Sequence, residues 1–149
     1  MSNRLKKQIE VEKEMLNQLL SDHMPLLKKC IDQTPDRIEL SALAAMLHGF
    51  YNGIENIFKR ILIETGEELP IGDRWHKSLI DAVARPSNNR PEVISDETAN
   101  ALQEYMEFRH FFRNAYPFQI KWDLMAHLVK ECSNILIRLD KELDEFMGK

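Results

Sequence analysis

The sequence predicts an all-α fold, an antiparallel bundle of four main helices plus a short helix. Three observations carry that expectation. Apolar residues recur at helical spacing through nearly the whole chain, most clearly in Leu40, Leu43, Leu47, Phe50, Ile54, Ile57, Phe58 and Ile61. The period-two alternation of half-buried strands is scarce. Proline and glycine fall in short clusters between the periodic stretches, where they punctuate loops.

The first helical region carries an apolar stripe of Leu5, Ile9, Leu16, Leu19, Leu20, His23, Leu26, Leu27, Cys30 and Ile31. Pro25 lies inside it and should kink or split it, because proline lacks the N–H donor and clashes with the preceding turn. Thr34-Pro35 reads as an N-cap followed by proline at the first helical position. The second helix then continues to about Gly66. Residues 67–74 (Glu-Glu-Leu-Pro-Ile-Gly-Asp-Arg) form a loop, and a short helix of about Trp75–Ala84 stops before Pro86. Ser87-Asn88-Asn89-Arg90-Pro91 is a second loop. Ser95 can cap the next helix, with Asp96 and Glu97 at the positive end of its dipole. That helix reaches about Tyr116, and Pro117 ends it. Asp123 is the expected cap of the last helix, whose stripe is Met125, Leu128, Cys132, Ile135, Leu139, Leu143 and Phe146.

A chain of 149 residues is expected to form one domain over 1–149. Its 44% hydrophobic and 30% charged residues describe an ordinary globular protein, and no apolar run approaches the length of a membrane span. The N-terminus enters a charged helical pattern without the apolar core of a signal peptide, so a cytoplasmic location is expected. A net charge of −4 argues against bulk electrostatic binding to nucleic acid. Phosphate recognition would therefore need a local basic patch. Cys30 and Cys132 sit on apolar helical faces and read as free buried thiols. The five histidines do not fall into zinc-ligand spacing, and neither a glycine-rich phosphate loop nor a G-x-S-x-G elbow is present. Neither a metal nor a cofactor is expected.

The most informative stretch is Arg109-His110-Phe111-Phe112-Arg113-Asn114-Ala115-Tyr116. Arg109 and Arg113 are four residues apart, as are His110 and Asn114, so on a helix they form a polar strip. Tyr105, Met106, Phe108, Phe111 and Phe112 run beside it, which places the strip at a packed or dimeric boundary. Guanidinium groups there would recognise phosphate through their fixed fork of donors. The alternative is a helix whose arginines cover apolar surface and pair with carboxylates, and composition alone favours that alternative. His48, Asn52, Glu55 and Lys59 give the second helix a polar edge, read as a solvated face unless it turns toward the arginine strip. His76, beside Trp75, reads first as an ordinary surface or helix-start histidine and second as a further candidate, from outside the helix of the arginine strip, to move protons.

Three separated segments resemble HepT-like proteins of the HEPN superfamily: Leu47–Phe58, Gly72–Lys77 and Phe108–Tyr116. The resemblance runs from about residue 36 to the last helix. It implies a dimeric helical bundle, with RNA-cleaving toxin activity and a minimal nucleotidyltransferase as antitoxin. The superfamily motif reads R-N-x-x-x-H-x-Y, or variants of that spacing. Laid on this chain, Arg109 takes the motif arginine and Tyr116 the tyrosine, while His110 stands where asparagine is usual and Asn114 where the catalytic histidine belongs. The resemblance implies metal-independent cleavage, in which histidine moves protons and arginine steadies the phosphate. Asparagine cannot exchange a proton at pH 7, and losing a general base costs about two to four orders of magnitude in rate. Either His110 takes over, helped by a dimer partner or a kinked helix, or this member is weak or inactive. Arg109, His110 and Asn114 are thus the candidate catalytic residues, and Arg113 the candidate RNA-phosphate contact. The resemblance also makes Tyr116 a candidate site of adenylate attachment if its hydroxyl is reachable. The competing expectation for Tyr116 is packing against Phe118 and Trp122. A non-catalytic helical module that binds nucleotide, RNA or a protein partner in the same groove is the second functional reading.

Overall fold

The computed structural model describes residues 2–148. Six helices follow one another, α1 (Asn3–Asp22), α2 (Met24–Lys29), α3 (Arg37–Glu64), α4 (Trp75–Val83), α5 (Asp96–Asn114) and α6 (Trp122–Gly148). A single 3-10 turn, Pro117–Gln119, joins the last two. No β-strand occurs among the described residues, so the all-α bundle expected from the periodicity is the fold observed.

The apolar stripe of α3 is why the other helices gather around it. Leu43, Leu47, Phe50, Ile54, Ile57, Phe58 and Ile61 are all essentially inaccessible, each contributing about 1.5–3 kcal/mol relative to exposure. α3 packs against α1, α4, α5 and α6. α1 packs tightly against α3 at Gly53, which offers no Cβ to hold it off. A Cβ there would stand 2.7 Å from Leu16 Cδ2. A buried lysine then ties α1 to α6: Lys13 Nζ lies 2.5 Å from Asp140 and 3.0 Å from Asp144. Burial alone would lower the Lys13 pKa, but the bonds to the two aspartates overcome it and hold the ammonium well above its ordinary value. Both cysteines are buried free thiols.

Pro25 splits the first helical region as expected. α1 stops at Asp22, and the proline occupies the first turn of α2, where its missing donor is no loss. Ile31, assigned to the apolar stripe, lies beyond α2 and is exposed. The start of α3 differs from the expectation of a Thr34 cap. Asp36 is the cap, accepting from the Glu39 N–H at 2.8 Å while Glu39 Oε1 accepts from the Asp36 N–H at 2.9 Å. This reciprocal pair satisfies two orphan donors where Thr34 would satisfy one, and it leaves Pro35 outside the helix. At the other end Gly66 takes φ +76°, and the Glu67 and Gly66 N–H groups bond to Leu62 and Ile63 carbonyls. That left-handed closure ends α3 where the sequence predicted. Ser95 caps α5 through the Thr98 N–H, again as expected. Glu142 of α6 reaches the same end, accepting from the Ser95 N–H and the Thr98 hydroxyl at 2.7 Å each.

Two ends are corrected. α5 stops at Asn114 instead of running to Tyr116, because the chain turns extended at Ala115 and Tyr116 ahead of Pro117. Asp123 does not cap α6 but lies in its first turn, where its charge still favours the positive helix end. No helix among the described residues is long and apolar enough to cross a membrane.

Candidate functional site

The polar edge of α3 is not a solvated face. Glu55 is 2% exposed, although it interrupts an otherwise apolar surface between Ile54 and Ile57. Its carboxylate meets His76 Nδ1 of α4 at 2.6 Å. One turn earlier, Asn52 Oδ1 accepts from Arg109 Nε of α5 at 2.5 Å. One turn before that, His48 packs its ring edge-on to Phe112 of α5, with centroids 5.5 Å apart. Three consecutive turns of α3 thus face α4 and α5, and the arginine strip is where that edge turns.

The electrostatics of this floor follow from burial. Removal from water, then the positive charges of Arg109 and Arg113, push the His48 imidazole below its ordinary pKa. His48 therefore favours the neutral form, and its Nδ1 has no hydrogen-bond partner among the described residues. The Tyr51 hydroxyl is likewise buried without a partner. Its burial and the charge of Glu55 push the phenol far upward, so it stays protonated. Lys59 places its ammonium 4.5 Å from the centre of the Trp75 ring, which bears on His76 at 3.6 Å between ring centres.

Beside these α3 side chains, which back Arg109 and His76, α4, the turn before it and α5 line an open cleft of about 300 Å³, with Asp73, Arg74, His76, Lys77, Met106, Glu107, Arg109 and His110 on its walls. Arg109 is half-buried and His110 exposed. Adjacent residues on an unbroken helix still line one cleft because α4 lies over both. Among the described residues, no group of three or more histidine, cysteine or acidic side chains is placed to hold a metal ion.

The family profile of HepT-like proteins matches residues 42–149, from the first turns of α3 through α6. The chain belongs to the HepT-like family of the HEPN superfamily. No curated protein and no solved structure matches it.

The remaining motif positions of this HepT-like protein lie outside the cleft. Asn114, the last residue of α5, is exposed and donates its amide to the His110 carbonyl at 2.9 Å, a bond within its own helix. Arg113 is exposed and has no ion-pair partner among the described residues. Tyr116 is 67% exposed and stacks on Phe118 with ring centres 5.6 Å apart. Of the packing expected against Phe118 and Trp122, the stacking on Phe118 is present, and it leaves the side chain accessible. His76, at the cleft, and Glu55, its buried partner, are the pair that motif reasoning undervalued. The visible signal was a glutamate set among Gly53, Ile54, Ile57 and Phe58, a position where a charge must find a partner.

Proposed function

We propose that this HepT-like protein is a ribonuclease toxin that cleaves RNA without a metal ion in the cleft between α4 and α5. A minimal nucleotidyltransferase antitoxin restrains it. The observation that supports this reading is the sharing of one cleft by Arg109 and His110. A guanidinium fixed by Asn52 can steady the charge that develops on a phosphate, and an adjacent imidazole can move a proton. Arg113, unpaired at the last turn of α5, extends the positive surface for a neighbouring phosphate. Since the whole chain carries −4, such a patch concentrates RNA binding locally. The accessible Tyr116 is the acceptor for adenylate in this scheme. The exposed, stacked rings of Tyr116 and Phe118 just past the end of α5 support a symmetric homodimer with the two α5 helices near the twofold axis. Light scattering at micromolar concentration is expected to give the dimer mass, and a monomer there removes the dimer from the proposal.

His110→Ala is expected to lower cleavage in EDTA by about 10²–10⁴-fold, the usual contribution of a proton-transfer group. Asn114→His is expected to change it little, because position 114 lies outside the cleft. The opposite pattern, gain at 114 and indifference at 110, would place the proton carrier at the motif position. Asn114 in the place of the motif histidine favours a second reading, a binding module without catalysis, since an amide cannot exchange a proton at pH 7. That reading stands if the wild-type protein binds RNA in a gel-shift assay and leaves it uncut.

A further inference from the structure

Metal-independent cleavage of RNA needs two proton movements, one off the ribose 2′-hydroxyl and one onto the leaving 5′-oxygen. His110 serves one of them in the reading above, on which this inference rests. A second imidazole stands across the cleft. His76 comes from α4, lines the same cleft as Arg109 and His110, and is only 19% exposed at its side chain.

Its surroundings fix its orientation. The Glu55 carboxylate holds Nδ1 at 2.6 Å, and the Trp75 ring lies tilted over the face of the imidazole, with ring centres 3.6 Å apart. A carboxylate accepts at that contact, so Nδ1 carries the hydrogen, and in the neutral ring Nε2 is the nitrogen left as an acceptor. Burying Glu55 in the apolar interior is costly without a partner. For packing alone an apolar residue would serve better at that turn of α3. A histidine within reach of the reacting group, oriented through its other nitrogen by a buried acid, is the arrangement that activates a hydroxyl.

We propose that His76 is the general base for the 2′-hydroxyl, with Glu55 as its positioning residue. His76 Nε2 takes the 2′-hydroxyl proton, and the 2′-oxygen forms a bond to the adjacent phosphorus. The bond from phosphorus to the 5′-oxygen breaks, and His110, starting as the imidazolium, donates its proton to that oxygen; exchange with water then resets both rings. The products are a 2′,3′-cyclic phosphate and a 5′-hydroxyl, and no other reactant is consumed. Arg109, anchored by Asn52, faces the non-bridging oxygens as their charge grows.

The test uses the full-length protein, a single-stranded RNA oligonucleotide and EDTA, with end-group analysis of the products. His76→Gln can still donate to Glu55 but cannot exchange a proton, so it is expected to fold normally and to lose about 10²–10⁴-fold in kcat. His76→Ala leaves Glu55 unpartnered; where it folds, added imidazole is expected to restore part of its activity. Glu55→Gln is expected to lower kcat with little change in KM. A 2′-O-methylated copy of the oligonucleotide is expected to bind and remain intact. Wild-type cleavage that survives in His76→Gln, or cleavage of the methylated copy, overturns the assignment of His76 and leaves the Arg109–His110 reading standing. A wild-type protein that cuts no RNA overturns the nuclease reading itself, and this inference with it.

Discussion

Arg109→Ala is expected to lower RNA cleavage by about 10²–10³-fold, the usual loss when one donor to a developing oxyanion is removed. Its cost in stability should stay near 1 kcal/mol, because the fold loses a single hydrogen bond, to Asn52, at a half-buried position. Arg109→Lys keeps the charge but loses the fork and the Asn52 anchor, so it should fall between wild type and alanine. An independent readout lies on α3. Arg109 is one of the two positive charges that depress the His48 imidazole, after burial. Removing it relieves a like-charge repulsion, so the His48 titration followed by NMR should move upward in Arg109→Ala. Equal cleavage by wild type and variant, with His48 shifted, would assign Arg109 to electrostatics of the floor and not to the reaction.

Most of the fold was legible because periodicity reports which face of a helix is covered. α3, α4 and α6 begin and end within a few residues of their expected places, and Pro25 divides α1 from α2 by its chemistry alone. The Asp36–Glu39 cap was equally visible as an acid followed three residues later by a glutamate. Thr34-Pro35 is the weaker pattern, since one hydroxyl competes against two reciprocal bonds. The end of α5 was misplaced for a related reason. The residue before proline is pushed away from helical backbone, and here Ala115 is extended as well.

The site was legible residue by residue but not as an assembly. Arg109 and His110 stand out in any reading of the segment. Whether they meet a partner depends on where α4 lies, and that is decided by packing of Leu79, Ile80 and Val83 on the core. Nothing local in Trp75-His76-Lys77 announces that His76 reaches a carboxylate 21 positions away. Spacing within one helix likewise could not separate Arg109, turned inward to Asn52, from Arg113 and Asn114, which face outward. A strip drawn on one helix becomes two surfaces once a second helix covers half of it.

The placement of α4 depends in turn on Arg90, and here the largest effect on stability is expected. Arg90 lies in the loop between α4 and α5 and is 7% exposed. Its guanidinium grips Glu67 at 2.8 and 3.0 Å and donates to the carbonyls of Ala82, Arg85 and Pro91. The loop, the end of α4 and the end of α3 are thereby held to one side chain. Arg90→Ala leaves an acid and three carbonyls without their donor and should cost about 3 kcal/mol, toward the lower end for a broken buried pair because Glu67 keeps some contact with water. For a chain of this size that is a fall in melting temperature of about 6–12 °C. The pair also has a pH signature. Burial would raise the Glu67 pKa, but hydrogen bonds from Thr65 and Arg90, with the charge of Arg90, hold it below the ordinary carboxylate value. A depressed folded-state value contributes stability above the unfolded value, about 4.3, and loses it as pH falls through the folded one. The difference in urea midpoint between wild type and Arg90→Ala should therefore narrow below about pH 4, leaving the part owed to the three carbonyls. A difference that stays constant from pH 7 to pH 3 would mean that the ion pair contributes nothing and that Arg90 acts through the carbonyls alone.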